Sequence, residues 1–129
     1  MNPKSCACAV MLLFASGCSH GVMLLESDVP LPEGMTTVQS ADIRRSAGTV
    51  TGGKFLLTGE VNDAATLLRE TITRYEAAGW TVVSRVVGLD HSEAVFAKDA
   101  RRVQLTIDRR ALDPAMSAGM LEVSTTTTG

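Results

Sequence analysis

The sequence predicts an α+β domain of two layers, with one helix packed on an antiparallel sheet of four to six strands in the order β-β-α-β-β-β. Three observations predict it. A single segment, Ala64 to Ala78, carries apolar residues at helical spacing. The segments on either side alternate or run apolar over short stretches, punctuated by Gly, Asp and Ser turns. The links between those segments are too short for parallel crossovers, so strands that follow one another directly run antiparallel.

At 129 residues the chain has room for one core and not two. Hydrophobic residues make up 45% and charged residues 20%, which excludes a disordered chain. A formal charge of -2 and an aromatic share of 4% exclude a cationic face for phosphate backbones and a stacking platform for bases. Nucleic acid is therefore not an expected partner.

The first segment reads MNPKSCACAVMLLFASGC. Lys4 supplies a positive start, Ala7 to Ala15 is apolar, and small Ser16 and Gly17 precede Cys18. That order is the order of an export signal, and the apolar run is too short to span a bilayer. Ala15-Ser16-Gly17-Cys18 resembles the lipobox of bacterial lipoproteins, with Ala15 where that family more often has Leu. The resemblance implies a signal peptide over residues 1–17, cut before Cys18, whose thiol then carries a diacylglycerol. Lipoproteins of this kind hold two or three acyl chains, palmitate-like in character, and two or more chains anchor stably. Ser19 in place of Asp implies, by the same resemblance, sorting to the outer membrane with the body facing the periplasm.

Three other readings share these residues. A general signal peptidase could cut after Gly17, because Ala15 and Gly17 suit its small-residue site. A spanning helix from Ala7 to Leu25 would bury a central polar cluster, Ser16 to Gly21, in lipid. An uncleaved N-terminus is the third. Cysteine usage fits export: Cys6 and Cys8 fall inside the signal, and acylation of Cys18 leaves no free thiol for a disulfide, a metal or a nucleophile.

Residues 18–35 read as the lipidated N-terminus and a tether, with Pro30 and Pro32 inside it; its anomaly is the apolar patch Val22 to Leu25, which is expected to dock on the domain or else to sit in the headgroup layer. The α+β domain occupies 36–124. Asp42 to Val50 is a weak strand, Thr51-Gly52-Gly53 is the expected hairpin turn, and Lys54 to Val61 is the next strand. Asn62 stands as N-cap with Asp63 in the first turn. The helix stripe is Ala64, Leu68, Ile72 and Tyr75, flanked by Ala65, Leu67 and Ala78, and Gly79 stops it. Trp80 to Val87, Glu93 to Lys98 and Arg102 to Asp108 follow as strands, and Met120 to Ser124 adds an edge strand. Val103, Leu105 and Ile107 face one way and Gln104, Thr106 and Asp108 the other, which marks a sheet with one wet face. Phe55, Leu57, Trp80, Val82 and Phe96 join the core, and residues 125–129 read as a disordered tail.

The run from Arg74 to Trp80 (RYEAAGW) resembles a pattern of small bacterial lipoproteins, in which a Tyr-bearing helix runs into Gly-Trp and a β-meander. This resemblance implies fold and compartment and carries no activity.

Chemistry-bearing residues are sparse. Asp90, His91 and Ser92 hold the residue types of a hydrolytic triad but are consecutive, and Asp90, His91 and Glu93 are the nearest approach to a metal set. No phosphate-cradling motif follows Gly52-Gly53, and no cofactor is expected. Arginine outnumbers lysine, in the pairs Arg44-Arg45, Arg101-Arg102 and Arg109-Arg110. These are the candidate contact surface, since guanidinium forks suit carboxylates and phosphates. The expected function is a non-catalytic, lipid-anchored binding or scaffold module that contacts another envelope protein. Two alternatives stand beside it. One is a ligand-binding lipoprotein with a groove lined by Leu68, Ile72 and Trp80. The other is an envelope enzyme whose site gathers the arginine pairs, Asp90 and His91.

Overall fold

The structure, a computed structural model, describes residues 23–24 and 27–126. The expected signal peptide, Cys18 and His20 lie outside the described residues, as do 127–129. Strands β1 (Met35–Ser46) and β2 (Thr49–Gly59) precede helix α1 (Ala64–Ala77). Strands β3 (Thr81–Val86), β4 (His91–Lys98), β5 (Arg101–Asp108) and β6 (Ser117–Thr125) follow it. The six strands form one antiparallel sheet in the order β1-β2-β6-β5-β4-β3. The domain is a two-layer α+β fold that follows the expected β-β-α-β-β-β order and adds β6 at its end.

Local chemistry explains most boundaries. Asp63, not Asn62, is the N-cap: its Oδ1 accepts from the backbone N–H groups of Ala65 (2.9 Å) and Thr66 (3.2 Å). Those bonds hold its carboxyl below the ordinary carboxylate pKa. Gly79 takes a φ of +97°, and the amides of Gly79 and Trp80 donate to the carbonyls of Glu76 and Tyr75, each at 3.0 Å. This is a Schellman stop, and it brings the two residues that flank it, Tyr75 and Trp80, into edge contact at 5.8 Å between ring centres. Tyr75 also stacks on Phe96 at 4.0 Å. The Tyr…Gly-Trp run is thus a device that ends the helix and plugs the core.

The buried face of α1 holds Ala64, Leu68, Ile72 and Tyr75, with Leu67 and Thr71 beside them. Thr71 is tolerated inside because its hydroxyl donates to the Leu67 carbonyl at 2.7 Å. Opposite lie Phe96 on β4 and Val103, Leu105 and Ile107 on β5, and the same core takes in Phe55, Leu57 and Leu121, each at most 1% exposed. Burial of such side chains contributes roughly 1.5–3 kcal/mol apiece.

Two expectations about strands are corrected. The first hairpin turns at Ala47-Gly48, where Ser46 pairs with Thr49, and Gly52 and Gly53 lie within β2. Ala47 (φ 53°) and Gly48 (φ 81°) both adopt the positive φ that a two-residue type I′ turn requires. The second correction concerns β6. It is not an edge strand: it pairs with β2 on one side and β5 on the other. The edges are β1, broken by three register shifts, and β3, broken by one. Such irregularities blunt an edge against pairing with other chains. The C-terminal tail also begins later than expected, since Thr125 ends β6 and the Thr126 amide donates to the Ala100 carbonyl at 2.6 Å.

The segment assigned to a tether is built into the domain. Leu24, Val29, Leu31 and Met35 are at most 4% exposed and belong to the core cluster. Asp28 accepts from Arg101 at 2.6 and 3.0 Å and from Lys98 at 2.7 Å, and its backbone carbonyl accepts from Trp80 Nε1 at 2.9 Å. The Arg101 guanidinium lies 4.9 Å from the Trp80 ring centre. Arg101 beside it holds the Asp28 carboxyl far below the usual carboxylate range. Farther along, Arg74 Nη1 donates to the Leu31 carbonyl at 2.5 Å. The physical reason is that α1 contacts β3, β4 and β5, so apolar side chains of β2 and β6 need another cover.

Candidate functional site

On β4 the core face carries Ser92, Ala94 and Phe96, so His91 and Glu93 point to the open face. The β4–β5 register places Asp108 directly opposite His91. Asp108 Oδ1 lies 2.6 Å from His91 Nδ1, and Glu93 Oε2 lies 2.8 Å from Nε2. With a carboxylate at each nitrogen, both nitrogens donate when the ring is an imidazolium. The Asp108 carboxylate, and after it that of Glu93, raises the His91 pKa above its ordinary value.

This geometry disposes of two chemical readings of the Asp90–Glu93 run. Ser92 faces the core side, where its hydroxyl donates to the Gly88 carbonyl (2.9 Å) and accepts from the Gly88 amide (3.0 Å). It cannot meet His91 as a nucleophile. Glu93 and Asp108 take different ring nitrogens, which diverge, so they do not enclose a common point for a metal. Among the described residues no three metal-ligating side chains converge. Asp90 instead pairs with Arg109 at 2.8 Å, and the Arg109 amide donates to the Asp90 carbonyl at 2.7 Å.

The arginine pairs do not form one patch. Arg101 and Arg102 start β5 and Arg109 and Arg110 follow its end, a separation of about 23 Å along an eight-residue strand. Arg101 is 8% exposed and clasped by Asp28, so it is a structural cation and leaves the candidate contact surface. Arg44 and Arg45 lie on exposed β1, where the Arg44 guanidinium covers Gly52. Arg102 and Arg110 are exposed and Arg109 is half-buried. The composite site that an enzyme would need from these pairs with Asp90 and His91 is not assembled. Nor is a helix–sheet groove open: Leu68, Ile72 and Trp80 are 0%, 5% and 3% exposed and sit inside the packed core.

The sequence marks one wet face of the sheet but not the apolar centre on it. Leu56 on β2 and Met120 on β6 are direct cross-strand partners, 39% and 50% exposed. They border a shallow cavity of about 220 Å³ that reaches Gln39, Ala41 and Lys54. Lys54 and Glu122 face each other one step along the same ladder. An apolar centre with a polar rim is the make-up of a protein contact surface. A second cavity, of about 310 Å³, opens at the N-terminus of α1 and gathers Glu33, Glu60, Asp63 and Glu70. The signal for the Leu56–Met120 centre lay in pairing register, which no local motif encodes.

Comparison with protein-family models, with curated proteins and with solved structures gives no match.

Proposed function

We propose that this chain is a lipid-anchored binding module of a bacterial envelope, without catalytic activity, that contacts another envelope protein through the open face of its sheet. The anchor is the acylated thiol of Cys18, in the outer membrane, with the domain facing the periplasm. The observation that carries the reading is the order Lys4, apolar run, Ala15-Ser16-Gly17-Cys18. The exposed Leu56–Met120 centre supports the choice of surface. The placing of the Arg101 and Arg109 pairs at opposite ends of β5, and the engagement of both His91 ring nitrogens by Asp108 and Glu93, support binding over turnover.

Two measurements test it. Intact mass of the purified N-terminus should give a chain that begins at a diacylated Cys18. A photo-crosslinking residue at Met120, compared with one at Leu112, should capture one reproducible envelope protein. Recovery of the Met1 end from cytosol with free thiols refutes the anchor, and absence of any adduct at Met120 refutes the surface.

A further inference from the structure

The lipid anchor just proposed has a geometric consequence, and the inference rests on that reading. Because Met23 is docked on the domain, the leash of chain between it and Cys18 is short. Met23 already lines a hollow with Arg74, Ala77 and Ala78 at the C-terminal end of α1, and it bridges to Pro30. From Cys18 to Met23 is five residue steps, a reach of at most ~18 Å. That end of the domain therefore cannot stand far from the bilayer.

Charge is segregated along the same axis. The leash end holds the C-terminus of α1, the β1–β2 turn and the β4–β5 turn. There Arg44, Arg45, Arg74, Lys98, Arg101 and Arg102 stand against Asp28, Asp42, Glu76 and Asp99. At the far end, the four carboxylates of the acidic cavity and Asp90, Glu93, Asp108 and Asp113 outnumber Arg69, Arg85, Arg109 and Arg110. The leash end also projects an arm. β6 pairs with β2 only from Gly53 onward, so Thr49 to Gly52 and the β1 residues opposite extend beyond it. On that arm Ile43, 41% exposed, precedes Arg44 and Arg45. An apolar side chain beside cations suits a headgroup layer.

We infer that the leash end, led by the β1–β2 arm, rests on anionic phospholipid headgroups and that the acidic end points away from the membrane. The leash brings the basic end close, and the surface potential attracts it while repelling the far end.

The test uses the full acylated chain in vesicles of phosphatidylethanolamine with phosphatidylglycerol, and in vesicles of phosphatidylcholine alone. Ala47→Cys and Leu112→Cys carry a fluorophore, quenched by spin-labelled lipid, and flotation reports the anchor separately. In the anionic vesicles quenching at Ala47 should exceed that at Leu112 about threefold or more, and should fall at about 0.5 M salt, where screening is strong. Arg44→Glu with Arg45→Glu should cut the Ala47 signal while flotation persists. Flotation with equal quenching at the two sites, or with quenching indifferent to phosphatidylglycerol, overturns the orientation alone. Failure to float overturns the anchor and the orientation together.

Discussion

Removal of the Asp28 carboxylate should unravel more than a surface contact. Asp28→Ala deletes two charge-assisted bonds from Arg101 and one from Lys98. It leaves the Arg101 guanidinium, 10% exposed at its side chain, with the Val50 carbonyl at 3.2 Å and the Trp80 ring as neighbours. Breaking a buried ion pair costs about 3–5 kcal/mol. The Asp28 side chain is 31% exposed, which lowers the expectation to about 2–4 kcal/mol. For a domain of this size that is a drop in Tm of roughly 10–25 °C. Calorimetric or circular-dichroism melts of the protein measure it. Asp28→Asn should lose less, because a neutral amide oxygen still accepts from Arg101. The Asp28 pair also predicts acid sensitivity. Its folded pKa is depressed, so its stabilisation is present above the unfolded value near 3.9 and is lost as pH falls through the folded value. If Asp28→Ala melts within about 0.5 kcal/mol of the parent, the N-terminal segment is a tether after all and the docking argument fails.

Three further outcomes follow from single residues. Ala47→Asn should stabilise by about 0.5–1 kcal/mol in urea titration, because Asn accepts the positive φ of the type I′ turn better than Ala; a loss would mean the turn is of another kind. Tyr75→Phe should be neutral or stabilising by about 1 kcal/mol, since the fully buried hydroxyl has no hydrogen-bond partner among the described residues and burial raises its pKa. A marked destabilisation would reveal a bond to that oxygen. The His91 imidazole should titrate above 6.5 by NMR, and its contribution to stability should be full below 6.5 and fade as pH rises through the folded value. His91→Gln should remove that pH dependence, and a His91 pKa at or below 6.5 would refute the bridged geometry.

The fold was legible where physics is local. Helical spacing gave the α1 face, alternation gave Val103, Leu105 and Ile107 as inward residues, and Gly79 marked the stop. What escaped was set at long range. Gly52-Gly53 offered a stronger turn signal than Ala47-Gly48, but β2 needed Phe55 and Leu57 in register with Leu121 and Gly119, and the turn moved to fit. Asp108 joined His91 only through pairing across the β4–β5 hairpin. Arg101 read as a surface cation, and only the fold of Asp28 back onto β5 made it interior. The open-face centre at Leu56 and Met120 needed β6 to enter between β2 and β5, which no short-range rule anticipates.

The position of β6 also governs when the molecule can exist at all. Without Ser117–Thr125 the sheet is two separate pieces, β1–β2 and β3–β4–β5, each with a raw edge where the missing strand belongs. Ser117–Thr125 thus complete a sheet whose first strand begins at Met35, so the sheet stays unfinished until this late strand has joined its two halves. Any delay in that step leaves those two raw edges open to pairing with other copies.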